Sequence, residues 1–445
     1  MNRLLVVMGA AAVVVAAGVV VFLLLQRDQG GGGGPVAARS PVPSPAVSSP
    51  AAAAKSVLTD VHGAVIEELP DDCADSRYPY VCRYVRDQLL AYDQGLLSRG
   101  GLTIRTTIDQ GMQQAAQRAI DAYVGRDDPQ VASQALIVPG EGAIRALATS
   151  SASGEVKGLL QGTTAMPYTL AAALAKGMRY DDGIRAPDTY QATGYPAFKN
   201  CKGENVGDPM HVAHNREPAG GFTTLRSGTR GQVNTFFLRL QQKVGLCETV
   251  RMAERLGLRR ADGRPLLEVE TFTLGVNEVD PVSLAGTYAT LAARGLHCEP
   301  TAIAEIREPS GAVRAFPPRC EQALEPAVAD AVTGLLRADR RTLNGVGRDA
   351  AVMPGTTDGY MSAWYAGYTP GLASAVSLGV PEQPFLHPLM DVTIHGRHYA
   401  RVDGTTIVAP IWKTTMTAAV DGTTDTAFAA PDTGRFGGCQ DFCGR

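Results

Sequence analysis

The chain has 445 residues, of which 45% are hydrophobic and 19% charged, enough for one large core or two domains and too apolar for disorder throughout. Lys and Arg number 41 against 44 Asp and Glu, a formal net charge of -3, so no basic field is available to hold a nucleic-acid backbone. Nucleic acid is therefore not expected as a partner.

In chain order, Leu4 to Leu25 is an uncharged apolar run behind Arg3. At about 1.5 Å per residue such a run spans a hydrocarbon core of roughly 30 Å, so residues 1–27 read as a single transmembrane anchor with the rest of the chain outside. The competing reading is a cleaved signal peptide, whose apolar region is usually shorter, about 7 to 15 residues. Residues 28–55, rich in Gly, Pro, Ala and Ser, cannot bury a core and read as a tether. A lead-in segment, 56–133, holds a cysteine pair, a short strand in "GLTIRTT" and a helix in which Met112, Ala115, Ala116 and Ile120 recur on one face.

The main body is expected at 134–431, with a tail at 432–445. Strands at Gln134 to Val138 and Ile144 to Ala148 flank a turn at Pro139 to Gly142. Helices follow in "PYTLAAALAKGM", "NTFFLRLQQKVGL", "CETVRMAERLGL" and "DPVSLAGTYATLAARG", the last closed by Gly295. Strands return in "TAIAEIREPSGAV", "AAVMPGTT", "SAWYAGYTP" and "LASAVSLGV". Strands enclosing a block of helices predict an α+β fold with an antiparallel sheet.

Eight cysteines, an even number, suit an oxidising exterior, and pairing of neighbours suggests Cys73 with Cys82, Cys201 with Cys247, Cys298 with Cys320 and Cys439 with Cys443, one of 105 possible connectivities. No cysteine pair has the C-x-x-C spacing of a zinc site. The two H-x-x-H pairs, His211 with His214 and His395 with His398, are short patterns that recur by chance, so neither a metal nor any cofactor is expected.

From Arg83 to Pro431 the phrases "GLTIRTTIDQGMQQAAQRAI", "LGVNEVDPVSLAGTYATLAARGLHCEPTAI" and "APIWKTTM", in this order, resemble the transpeptidase half of the bifunctional penicillin-binding proteins. The resemblance implies a penicillin-binding protein/serine β-lactamase-like fold, a five-stranded antiparallel sheet flanked by helices. It also leaves no room for a glycosyltransferase domain between Leu25 and Leu102.

That family's chemistry rests on S-x-x-K, S-x-N and K-T-G motifs. The serine attacks a carbonyl and the lysine one turn on accepts its proton. By position, Thr163 stands for the serine and Met166 for the lysine; Gln232 replaces the second serine while Asn234 is kept; and Met353, Pro354 and Gly355 replace K-T-G, followed by Thr356. Methionine accepts no proton and carries no charge for a substrate carboxylate, and proline lacks both hydroxyl and N–H. The resemblance places oxyanion donors at the backbone N–H groups of Thr163 and Thr356. "WKTTM" at Trp412 to Met416 is read as part of the last helix, and Tyr360, Trp364, Tyr365 and Tyr368 as strand packing.

Two functions follow. One is a membrane-anchored, noncatalytic module of peptidoglycan metabolism that binds peptidoglycan stem peptides or a cell-wall synthesis protein as scaffold or regulator. The alternative is a D,D-transpeptidase-type acyltransferase using Thr163 as nucleophile.

Overall fold

The computed structural model describes residues 54–191, 198–337, 346–441 and 443–444. At its centre lies a five-stranded antiparallel sheet in the order Ala351–Thr356, Ser362–Thr369, Leu372–Gly379, Val131–Ile137, Ile144–Thr149. Its inner strands are buried almost without interruption because both faces are covered. Ala135, Ile137, Trp364, Ala366 and Tyr368 enter one core with Met166, Leu170, Leu284 and Tyr288. Ala132, Leu136, Ala363 and Tyr365 alternate to the other face and join Ala116, Ile120, Ile411, Trp412 and Met416. The strand period of two thus divides each strand between two helical layers.

One layer contains the helices Gln110–Asp121 and Val408–Val420. The Asp109 carboxylate caps the first of these by accepting from Met112 N–H at 2.9 Å. The opposite layer holds Met166–Ala175, Pro281–Ala292 and Pro326–Leu336. Trp412 and its neighbours are helical, and Trp364, Tyr365 and Tyr368 are buried packing residues, with the Tyr365 ring 5.3 Å from Trp412 and tilted by 52°, whereas Tyr360 is half-buried in the 3-10 turn Asp358–Tyr360 and not on the strand.

The hairpin from Ile303–Arg307 to Val313–Ala315 does not join this sheet. It pairs through Ile303–Arg307 with Thr103–Thr106, building a second five-stranded sheet with Val57–Thr59 and Val65–Glu68, in which Val57–Thr59 runs parallel to Thr103–Thr106. The lead-in is therefore structured throughout its described length, with a further helix at Pro79–Tyr92. A hairpin, Met390–Ile394 with Arg397–Arg401, lies in sequence between the strand Leu372–Gly379 and the helix Val408–Val420.

Cys73–Cys82, Cys201–Cys247, Cys298–Cys320 and Cys439–Cys443 are disulfides, the connectivity that neighbour pairing suggests. The C-terminal stretch is docked: Phe436 is fully buried, Tyr180 N–H donates to its carbonyl at 2.8 Å and Asp181 N–H to Gly438 O at 3.1 Å. Among the described residues no helix is long and apolar enough to cross a membrane, and Leu4 to Leu25 lies outside them.

Candidate functional site

Thr163 sits on a 3-10 turn, Gly162–Ala165, that runs directly into the helix Met166–Ala175. Gly162 has φ +58°, and a Cβ there would lie 2.8 Å from the Thr356 backbone. Only glycine lets the turn press this closely onto the edge strand Ala351–Thr356. The contact puts the Thr163 hydroxyl against that strand, where it donates to the Pro354 carbonyl at 2.9 Å.

A second group meets the same oxygen. The helix Leu225–Gly231 ends at Gln232, which adopts the left-handed conformation (φ 46°, ψ 49°) before the next helix starts at Asn234. The Gln232 Nε2 lies 2.8 Å from Pro354 O and 2.8 Å from Met353 Sδ. A carbonyl can only accept, which fixes the amide with its nitrogen toward the strand. Three segments far apart in sequence are thereby tied to one oxygen.

The strand position explains the proline. Pro354 pairs in register with Tyr365, yet its carbonyl turns outward to Thr163 and Gln232. At an edge strand the outward N–H belongs to no ladder bond, so proline is tolerated there. Its carbonyl, which would otherwise be open to an extended ligand, is occupied from within the chain.

The remaining expected site residues are placed less uniformly. Gly355 packs tightly, since a Cβ would lie 2.7 Å from Thr164 Cγ2, and Thr356 Oγ1 accepts from Gly404 N–H at 3.1 Å. Asn234 is one residue past Val233, but its Nδ2 donates to His214 O at 3.0 Å, toward the strand Val212–His214. Met166 is 0% exposed and part of the apolar core, as an unbranched apolar side chain at a helix start is free to pack inward.

Chemically, the turn lacks a base. The Thr163 hydroxyl has a carbonyl as its hydrogen-bond partner, and neither the Gln232 amide nor the Met166 thioether takes up a proton at neutral pH. Tyr168 follows on the same helix, but burial pushes its phenol well above its ordinary pKa and it stays protonated, bonded to Thr287 Oγ1 at 3.2 Å. Gln161, also fully buried, uses its carbonyl oxygens on Thr164 and Tyr168, while its Nε2 has no protein partner.

One group near this strand was not singled out by the sequence. Asp403 is nearly buried next to Gly404; it is paired with Arg216 and accepts from Thr405 N–H at 2.8 Å, Thr405 Oγ1 at 2.7 Å and Thr406 Oγ1 at 3.0 Å. Burial acts to raise its pKa, but the bonds from Thr405, the Arg216 charge and Thr406 outweigh it and hold the carboxyl below its usual range. The D-G-T-T phrase at 403–406, an acid followed by two hydroxyls, is the sequence signal for this knot. Among the described residues the one cluster with metal-ligand geometry is Asp182 with Cys439 and Cys443, whose two sulfurs are bonded to each other. His211 pairs instead with Glu270 at 2.8 Å, and His214 Nδ1 with Thr189 Oγ1 at 3.2 Å.

No family profile matches the chain. Penicillin-binding protein 1A of Mycobacterium tuberculosis is 28% identical over 375 residues, 77% of this chain and 43% of the relative. That of Mycolicibacterium smegmatis is 29% identical over 383 residues, 78% of this chain and 46% of the relative. The structure of PonA1 from M. tuberculosis in complex with penicillin V superposes with a TM-score of 0.65 at 26% identity, covering 79% of this chain and 96% of the other. The chain has the penicillin-binding protein transpeptidase fold. It spans less than half the length of these curated penicillin-binding protein relatives. Penicillin-binding protein A of M. tuberculosis, at 19% identity and a TM-score of 0.59, shares the same fold.

Proposed function

We propose that this protein is a noncatalytic, penicillin-binding-protein-like module of cell-wall peptidoglycan metabolism. It acts as a scaffold, a regulator or a peptidoglycan-binding element, held at the outer face of the cell membrane by Leu4 to Leu25. The observation that carries the reading is the shared acceptor: Thr163 and Gln232 both donate to Pro354 O, so the position of the nucleophile and that of the second motif are spent on closing the site. Two further features support it. A thioether stands in the buried place where the resembling family keeps its lysine, and the third-motif strand offers methionine and proline where a cation and a hydroxyl bind a carboxylate.

The placement outside the cell is supported by four disulfides, which persist in oxidising compartments. Partners of this module are peptidoglycan stem peptides or cell-wall synthesis proteins. Cosedimentation of the purified full-length chain with isolated peptidoglycan tests the reading. The chain is expected to pellet with the polymer and leave its cross-linking unchanged; an increase in cross-links on incubation would overturn the noncatalytic assignment.

A further inference from the structure

Besides the Gln232 amide on Pro354 O, a second contact joins the region of Gln232 to that of the edge strand Ala351–Thr356: the ion pair of Arg216 with Asp403. The chain that carries Arg216 is laid onto the start of the helix Asn234–Val244. Asn234 Nδ2 donates to His214 O at 3.0 Å, Thr235 N–H to Asn215 Oδ1 at 3.0 Å, and Asn215 Nδ2 to Thr235 Oγ1 at 3.1 Å. At the other end Asp403 precedes Gly404, whose N–H donates to Thr356 Oγ1 at 3.1 Å and whose Cβ, if it had one, would lie 2.7 Å from the Gly355 nitrogen and oxygen. Arg216 and Asp403 thus link the segment of the second motif to the strand of the third across 187 residues of sequence.

The two partners are unequally held. Asp403 is buried, and its Oδ1 accepts three hydrogen bonds from Thr405 and Thr406, which fixes the carboxylate and turns Oδ2 to Arg216. The Arg216 side chain is 48% exposed, and among the described residues it bonds Asp403 alone, through one nitrogen. Release therefore falls to the arginine, which water rehydrates at little cost. The buried oxygen left behind loses its partner, which favours the closed pair.

The rest of the strand's open side is occupied in the same manner. Ala351 forms an antiparallel bridge with Arg337, and Pro354 O takes the two donors from Thr163 and Gln232. An extended peptide pairing with this edge has to displace contacts that the chain makes with itself.

We propose that Arg216 and Asp403 form an autoinhibitory clasp. While paired they fasten the segment 214–217 to the loop 403–406, and when the pair breaks the edge strand opens to a peptidoglycan stem peptide. The clasp regulates the binding site proposed above and rests on that reading.

The test is hydrogen–deuterium exchange of the full-length chain, read by mass spectrometry, beside the binding of a fluorescein-labelled stem peptide, read by anisotropy. Arg216→Gln is expected to raise exchange over 212–217 by about threefold or more and to leave the central strand Val131–Ile137 as protected as before. It should tighten the stem peptide by a similar factor, because the open fraction sets both quantities. Arg216→Lys, which keeps the charge but not the planar fork, should fall between the two chains. Arg118→Gln, an exposed arginine on the helix Gln110–Asp121, should change neither. Unchanged exchange over 212–217 in Arg216→Gln would overturn the clasp, and raised exchange with equal or weaker peptide binding would overturn its inhibitory role. Raised exchange with no peptide bound by either chain would overturn the binding reading, and the gating of that site with it.

Discussion

The Thr163 hydroxyl lies 2.9 Å from the Pro354 carbonyl oxygen and gives its proton to that bond. Gln232 approaches the same oxygen at 2.8 Å, so the edge strand is fastened on its open side by two donors from two other segments. Substitutions that look like independent losses in sequence are parts of one contact. A hydroxyl without a base, an amide in place of a hydroxyl and a proline in place of a threonine fit one another around a single acceptor.

That mutual dependence is measurable by a double-mutant cycle. Thr163→Val and Gln232→Ala should each cost about 1 kcal/mol in urea denaturation, since the remaining donor still serves the carbonyl. Together they strip both partners from Pro354 O, and the double variant should lose roughly 0.5 to 1 kcal/mol more than the sum. Strict additivity would mean the two bonds do not share their acceptor in solution.

Met166 tests how far the pocket has become core. Placing an ammonium where a fully buried thioether sits costs several kcal/mol unless a partner is supplied. Met166→Lys alone should therefore destabilise by roughly 3 kcal/mol or more. Met166→Leu should cost less than about 1.5 kcal/mol. A Met166→Lys variant as stable as the natural chain would show that this side chain reaches water.

Asp403 sets the acid limb of stability. Its folded pKa lies below the ordinary value of 3.8, so its contribution is complete above that value and is lost as the pH falls through the folded pKa. Arg216→Gln removes one of the lowering influences and should move the acid-unfolding midpoint upward. Asp403→Asn should cost about 1 to 3 kcal/mol at neutral pH by leaving Thr405 and Thr406 donors mispaired, and should flatten the dependence below pH 4. An acid limb identical in all three proteins would remove Asp403 from this role.

Much of the fold is legible in the sequence because its strands carry local signals. The runs around Leu136, Trp364 and Val376 are long, apolar and bounded by turns, and both of their faces find helices. The second sheet is not legible in this way. Val57–Thr59 is three residues long, and Thr103–Thr106 meets Ile303–Arg307 across about two hundred residues, a pairing no local pattern encodes. The hairpin Met390–Arg401 is not among the expected strands; it turns at His395-Gly396, whose φ of 50° and 72° are the paired positive angles of a two-residue turn. At the site, residue identities follow from order and resemblance, while the bond that joins them does not. That Met166 points into the core, and that Gln232 turns left-handed to reach Pro354 122 residues further on, depend on packing between segments distant in sequence.

Restoring the missing groups should separate lost chemistry from a lost pocket. Thr163→Ser alone should remain unreactive toward a β-lactam because its hydroxyl still faces Pro354 O and no base has been added. The combination Thr163→Ser, Met166→Lys, Gln232→Ser, Met353→Lys and Pro354→Thr should gain detectable labelling at reduced stability. A folded but unlabelled combination would show that the backbone, and not only the side chains, has moved from a reactive arrangement.

The most direct measurement is the intact mass of the natural full-length chain after incubation with a fluorescent penicillin, read beside its fluorescence on a denaturing gel. A hydroxyl hydrogen-bonded to Pro354 O, with a buried methionine at the position of the base, predicts an unchanged mass and no fluorescent band. A stoichiometric mass increase equal to the intact drug, mapped by peptide fragmentation to Thr163, would contradict the noncatalytic reading and make this threonine a working nucleophile.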